Sequence, residues 1–91
     1  MIYSVKPTAK FQKDVKRIAK RGYRIDLLTT VIKKLAAGEI LDENYNDHPL
    51  KGKYSGCREC HITPDWLLIY EIAGDALILY LTRTGTHSDL F

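Results

Sequence analysis

Histidine occurs three times in this chain: His48 in the stretch DHPL, His61 in ECHITPD and His87 in RTGTHSDLF. Arg83 opens the last of these stretches and Phe91 closes it. An imidazole with an ordinary pKa near ~6.5 serves as acid or base at neutral pH. A guanidinium offers a fixed bidentate fork to phosphate oxygens. These are the parts that metal-free RNA cleavage requires. A base takes the proton of a 2′-hydroxyl, and that oxygen attacks the neighbouring phosphorus. A cation stabilises the charge gathering on the phosphoryl oxygens, and an acid protonates the departing 5′-oxygen. Exposed rings such as Trp66 or Phe91 can stack on a nucleobase. Each residue also has an ordinary structural use. A lone histidine can be a hydrogen-bonded structural residue, and Arg83 can simply pair with Glu59 or Asp89. Trp66 can be a core residue, Phe91 a terminal plug and Asp47 a turn former.

Strand parity decides whether these residues can meet. Successive side chains of a strand point to opposite faces. Around residues 57–62, Cys57, Glu59 and His61 therefore share one face, and Arg58, Cys60 and Ile62 the other. If the last strand runs past Thr82, Arg83, Gly85 and His87 also share a face. His48 lies in the loop before this region, and Asp65 and Trp66 lie in the turn after His61.

Cys57, Cys60 and His61 spell a c-type haem attachment signature. The same strand parity argues against it, because residues three apart on a strand point to opposite faces. The only methionine is Met1, so the body of the chain offers no methionine axial ligand. A zinc site built on the two cysteines fails for the same geometric reason. The expectation is no metal and no cofactor, with one cysteine in the core and the other near the surface.

The elements that must position these residues follow from hydrophobic periodicity. Ile2 to Lys6 is a strand candidate that Pro7 stops. Thr8 is a plausible N-cap for a helix over 9–21, with Phe11, Val15 and Ile18 as its core stripe. Its other side carries Lys13, Lys16, Arg17 and Lys20, with Arg24 just beyond, and Gly22 marks its end. A second helix over 25–37 buries Leu28, Val31, Ile32 and Leu35 and ends at Gly38. Residues 39–53 are irregular. Then the period changes to two: a strand from Tyr54 to Ile62, a turn at Pro64–Asp65, and a central strand from Trp66 to Ile72. A turn at Gly74–Asp75 leads to a returning strand from Ala76 to Thr82. The order β-α-α-β-β-β predicts a single α+β domain over 1–91, with a helical hairpin packed on one face of a mainly antiparallel sheet.

Composition bounds the rest. At 45% hydrophobic and 27% charged residues, the chain reads as an ordinary globular domain and not a disordered one. No apolar run approaches the ~20 residues needed to cross a bilayer, and the N-terminus lacks the apolar core of a signal peptide. A cytoplasmic protein with reduced cysteines is expected. Residues 1–38 hold ten Lys and Arg against Asp14 and Asp26, a net of +8, while residues 39–91 have a net of −5. The basic half suggests a polyanionic partner such as nucleic acid, with a solvated lysine-rich helix as the alternative.

The stretches DHPLKGKYSG, HITPDWLLIY and RTGTHSDLF together resemble the YafQ branch of the RelE/ParE toxin superfamily. The likeness runs in order from His48 to Phe91, and the β-α-α-β-β-β order agrees over the rest. It implies a ribosome-dependent mRNA endonuclease, an mRNA interferase of a type II toxin–antitoxin pair. Such toxins cut mRNA in the ribosomal A site without metal and are neutralised by a cognate antitoxin, often in a hetero-oligomeric complex. The positions matching the family's functional set are His48, His61, Asp65, Trp66, Arg83, His87 and Phe91, with Glu59 where the family often has an acidic residue. On these positions our own assignment takes His87 as general acid, Arg83 as phosphate clamp and His61, with Asp65 or His48, as base, the division between acid and base histidines being left open by the sequence. Phe91 helps place the nucleobase or the His87 tail, and Lys13, Lys16, Arg17 and Lys20 hold ribosomal RNA phosphates. Two rivals share the fold: a ParE-like inhibitor of DNA gyrase and a non-catalytic interaction module. A protein that only binds does not need three histidines in these segments.

Overall fold

The computed structural model describes residues 2–91. Strand β1 spans Ser4–Pro7, and helices α1 and α2 span Ala9–Lys20 and Ile25–Ala36. Four further strands follow: β2 at His48–Pro49, β3 at Arg58–Thr63, β4 at Trp66–Ala73 and β5 at Ile78–Gly85. A one-turn helix α3, His87–Leu90, closes the chain. The strands form one mixed sheet in the order β1-β5-β4-β3-β2, in which only the β1–β5 pair is parallel. The α+β architecture with its helical hairpin on one face is therefore present. The two-residue β2 and helix α3 are additions that no periodicity signals at such lengths.

Local chemistry sets the helix boundaries. The Thr8 hydroxyl oxygen accepts the Phe11 amide at 3.2 Å and donates to the Leu81 carbonyl at 2.9 Å, so one side chain both caps α1 and ties it to β5. Gly22 and Gly38 follow the two helices at φ +83° and +78°, where a residue with a Cβ is strained. Three strand ends differ from the sequence expectation. β1 begins at Ser4, because the Ile2 and Tyr3 amides both go to the Ala36 carbonyl. β3 begins at Arg58 and not Tyr54, because Gly52–Tyr54 forms a 3₁₀ turn and the Cys57 amide folds back to the Tyr54 carbonyl at 3.0 Å. The β4–β5 turn takes four residues, with Leu77 at φ +53°, so β5 starts at Ile78 but runs on to Gly85.

β4 is apolar on both faces because both faces are covered. Leu68 and Tyr70 join Phe11, Ile18, Leu28, Val31 and Leu35 under the helices. Leu67 and Ile69 face the other way, into a smaller cluster with Tyr54, Cys57 and Leu90. Burial of side chains of this size contributes roughly 1.5–3 kcal/mol each, so the second cluster is enough to hold the chain terminus against the sheet.

One irregularity in β5 matters more than the rest. Tyr70 pairs with Leu81 but Ile69 pairs with Arg83, so Thr82 is an extra residue on β5. Leu79 and Leu81 face the helices, and in a regular strand Arg83 would too. The bulge flips it to the opposite face, where it stands across from Ile69.

Candidate active site

On the face away from the helices, His48, Glu59, Ile69 and Arg83 form one cross-strand row through β2, β3, β4 and β5. At one end of the row, two imidazoles converge on a carboxylate. His48 Nε2 lies 3.1 Å from Glu59 Oε2, and His61 Nε2 lies 3.5 Å from the same oxygen. Glu59 is only 5% exposed, whereas both histidines reach solvent. The other ring nitrogens are held by the backbone. His48 Nδ1 donates to the Asn46 carbonyl at 2.7 Å and His61 Nδ1 to the Pro64 carbonyl at 3.3 Å. Carbonyls only accept, so each Nδ1 carries a proton. Each Nε2 therefore faces the Glu59 carboxylate. Asp47, expected only as a turn former, accepts Arg58 Nε at 2.6 Å and the Tyr70 hydroxyl, which anchors the segment that carries His48.

At the other end stands Arg83. Its Nε and one terminal nitrogen donate to the two oxygens of Asp14 at 2.6 and 3.0 Å, and the remaining nitrogen reaches the Tyr54 hydroxyl at 3.4 Å. Asp14 is 2% exposed and also accepts the Thr84 amide at 3.1 Å and the Arg17 guanidinium. These bonds raise the pKa of Arg83 still further, chiefly through Asp14, so its charge is fixed. Sequence reasoning missed Asp14. The available signal was its spacing: an acid between Phe11, Val15 and Ile18 lies on the buried stripe of an otherwise basic helix.

His87 is not on the extended strand that parity suggested. β5 ends at Gly85, and His87 is the first residue of α3. Thr86 and Asp89 form a reciprocal capping box around that start, with the Thr86 amide donating to Asp89 at 2.9 Å and the Asp89 amide to Thr86 at 3.2 Å. A Cβ at Gly85 would stand 2.9 Å from an Asp89 oxygen, so only glycine lets the cap close this tightly. Arg21 grips Asp89 with two bonds of 2.7 and 3.1 Å. That pair, with the Thr86 amide, holds the Asp89 carboxyl well below the usual carboxylate range. The exposed His87 ring lies 4.9 Å from the Phe91 ring, which in turn packs edge-on to Tyr54 at 5.6 Å.

Three expected roles change. Trp66 is 2% exposed, donates its indole N–H to Thr84 Oγ1 at 2.9 Å and packs edge-on to Tyr23, so it is a core residue and not a stacking platform. Asp65 accepts the His87 amide at 3.3 Å, whereas His61 meets Glu59 and the Pro64 carbonyl. The Pro64–Asp65 turn therefore links the two histidine regions rather than orienting His61 through a carboxylate. Glu59 is buried between the histidines, its carboxylate turned to their Nε2 atoms rather than to the exposed surface where a nucleobase would lie. Of the basic residues, Lys13 and Arg17 line a shallow groove with Lys10, Asp14 and Arg83. Lys16 and Lys20 are exposed on the same helix.

Cys57 and Cys60 are both buried, in the two different clusters, so neither is the surface cysteine expected. Burial pushes the Cys60 thiol up to about 12. The expectation of no metal rested on this pair. It leaves out His48, Glu59 and His61, whose potential ligand atoms all lie within 4.8 Å of one another.

Comparison with known proteins sets this geometry in a family. The model of the family described as "Bacterial toxin of type II toxin-antitoxin system, YafQ" matches residues 3–91. The mRNA interferase toxin YafQ of Escherichia coli strain K12 is 38% identical over 85 residues, which is 92% of this chain and 90% of that protein. A metal-bound toxin from Helicobacter pylori superposes with a TM-score of 0.91 at 43% identity over 100% of both chains. The toxin of the E. coli DinJ-YafQ complex superposes with a TM-score of 0.89 at 36% identity over 98% of both chains.

Proposed function

The chain belongs to the YafQ family of bacterial type II toxins, and from that premise we propose how its mRNA interferase chemistry is divided along the His48–Arg83 row. The protein is an endoribonuclease that acts on mRNA and pairs with an antitoxin, as E. coli YafQ does with DinJ. It cuts mRNA bound in the ribosomal A site. The His48–Glu59–His61 cluster takes the 2′-hydroxyl proton, and the buried Glu59 carboxylate stabilises the positive charge that the imidazole gains. The 2′-oxygen attacks phosphorus while Arg83 binds the phosphoryl oxygens. Asp14 holds the guanidinium flat and Tyr54 brackets its far side. His87 protonates the leaving 5′-oxygen, which completes a 2′,3′-cyclic phosphate and a free 5′-hydroxyl. Phe91 supports the His87 ring and offers its exposed face to a base. Lys10, Lys13 and Arg17 extend the positive charge of Arg83 along the groove beside it, and Lys16 and Lys20 add to the same face.

The observation that carries this reading is the row itself. A histidine-flanked carboxylate and a phosphate clamp stand on one sheet face, Glu59 and Arg83 two strand spacings or about 10 Å apart at the backbone with Ile69 between them and His48 one strand further out. The test adds purified protein to programmed ribosomes and maps cuts by primer extension, with His87→Ala and EDTA-stripped protein alongside. Cuts within the A-site codon that persist without metal and vanish in the variant are expected. A folded wild-type protein that makes no cut would refute the reading.

A further inference from the structure

We propose that the cavity beside His61 takes the nucleobase on the 5′ side of the cut, and that the Asn44 and Asn46 side chains on its wall set which base is preferred there. The proposal rests on the cleavage reading above and adds to it the groups that choose the substrate.

The place follows from the covalent structure of RNA. The attacking 2′-hydroxyl belongs to the ribose 5′ of the scissile phosphate, and its carbon adjoins the carbon that bears the base. The base of that nucleotide therefore lies beside the imidazole that takes the proton. A cavity of about 560 Å³ opens at that point, with His61, Thr63 and Pro64 on one side and Asn44, Tyr45 and Asn46 on the other. Small-molecule sites have volumes of about 300–1,000 Å³. The cavity sits at the outer edge of β3, whereas Arg83 stands on β5, two strands inward. A ribose at His61 thus turns its base outward and its 3′-phosphate towards the guanidinium.

The lining suits a base and not a phosphate. It holds no lysine, arginine, aspartate or glutamate. The groove at Arg83 is the opposite, with Lys10, Lys13 and Arg17. Tyr45, Ile62 and Pro64 offer apolar walls to the faces of a ring. Each asparagine offers a carbonyl acceptor and two N–H donors, the combination that matches the edge of a base. Both asparagines are exposed. Among the described residues, the hydrogen bonds of Asn46 run through its backbone, which leaves its amide to a ligand. β2 pairs with β3 only at Arg58 and Glu59, so no strand covers the outer edge of β3 from His61 onward.

Asn46 also joins the cavity to the catalytic cluster. It stands in the left-handed region at φ +47°, which asparagine tolerates better than most residues. In that conformation its carbonyl holds His48 Nδ1 at 2.7 Å. A base gripped by the Asn46 amide is thereby fixed relative to the histidines through a single residue. The other side of the cut is different. Phe91 offers a stacking face, and stacking tolerates every base. Selection therefore falls on the 5′ nucleotide, through hydrogen bonds to an unstacked base.

The experiment measures kcat/KM on ribosomes whose A-site codons differ only in the nucleotide 5′ of the cut, with all four bases in turn. Asn44→Ala and Asn46→Gly remove the amides singly and together. Glycine keeps the left-handed backbone and the carbonyl that holds His48. The wild type is expected to prefer its best base to its worst by about tenfold or more, the weight of a bidentate amide contact. The double variant is expected to lose most of that ratio with its thermal midpoint unchanged. Lys13→Ala is expected to lower all four rates together and keep the ratio, as a phosphate contact does. A wild type indifferent to this base, or a double variant whose ratio is intact, would overturn the proposal. If the protein does not cut at all, the cleavage reading fails on its own. The cavity is then decided by titrating the four nucleoside 3′-monophosphates into isotope-labelled protein and following the side-chain amide signals of Asn44 and Asn46 by nuclear magnetic resonance. Saturable shifts that differ among the bases would uphold the base site, and equal or absent shifts would overturn it.

Discussion

The two ends of the His48–Arg83 row are built in different ways. The histidine corner is assembled from neighbours in the strand ladder, β2 against β3, with the backbone holding both rings. The arginine corner is assembled from a distance. Arg83 is held by Asp14, 69 residues away, and the helix that presents His87 is held by Arg21, 68 residues from Asp89. Helix α1 and the C-cap residue behind it thus reach across to grip β5 once and α3 once. The first corner is set by register and changes only if the sheet does. The second is set by two ion pairs and can be loosened one pair at a time.

The largest expected effect separates chemistry from structure at the arginine corner. His87→Ala is expected to lower A-site cleavage by about 10²–10⁴-fold, the usual weight of one general acid. Its exposed ring leaves the thermal midpoint nearly unchanged. A large loss of stability would instead make His87 a packing residue. Asp14→Ala comes next and does the reverse. It strands the Arg83 guanidinium and the Thr84 amide and is expected to cost about 3 kcal/mol in urea unfolding, in the range of broken buried ion pairs. Cleavage should fall with it, and Asp14→Asn should recover part of the stability but not the bidentate grip.

The Arg21–Asp89 pair is more exposed, so its removal should cost less. Arg21→Ala is expected to lower stability by clearly less than Asp14→Ala does, as for a solvated pair with a cap behind it. The pH dependence follows from the lowered pKa of Asp89. Its stabilisation is complete above the ordinary aspartate value near ~3.9 and is lost as the pH falls from there towards the folded-state value. Wild type and Arg21→Ala should therefore differ at pH 7 and converge in acid unfolding below about pH 4. The smallest effect tests the corrected role of tryptophan. Trp66→Phe removes the hydrogen bond to Thr84 and is expected to cost about 1 kcal/mol, with cleavage by the folded variant unchanged. A specific loss of cleavage would restore Trp66 to the site.

Much of this is written locally. The Thr8 cap, the Phe11–Ile18 stripe, the turn at Pro64–Asp65 and the doubly apolar β4 all follow from short-range chemistry, and the sequence reading finds each of them. Strand parity also places Glu59 with His61. It is silent on how Arg83 joins them, and it fails at His87. Arg83 reaches the right face only because Thr82 bulges, an irregularity that no residue type announces. His87 leaves the strand because Thr86 and Asp89 cap a helix one turn long. The capping pair is visible in THSD, but one turn is too short to register as periodicity.

The sequence by itself determined which residues could act as acid, base and clamp, and the order of elements that carries them, because composition and period are properties of neighbours along the chain. Only the tertiary structure decided that Trp66 is buried, that Asp14 governs Arg83, and that His48, Glu59 and His61 close on one point. Those outcomes depend on β2 pairing with β3 and on α1 lying along β5. Such contacts join residues far apart in the chain, and neither partner's sequence specifies the distance between them.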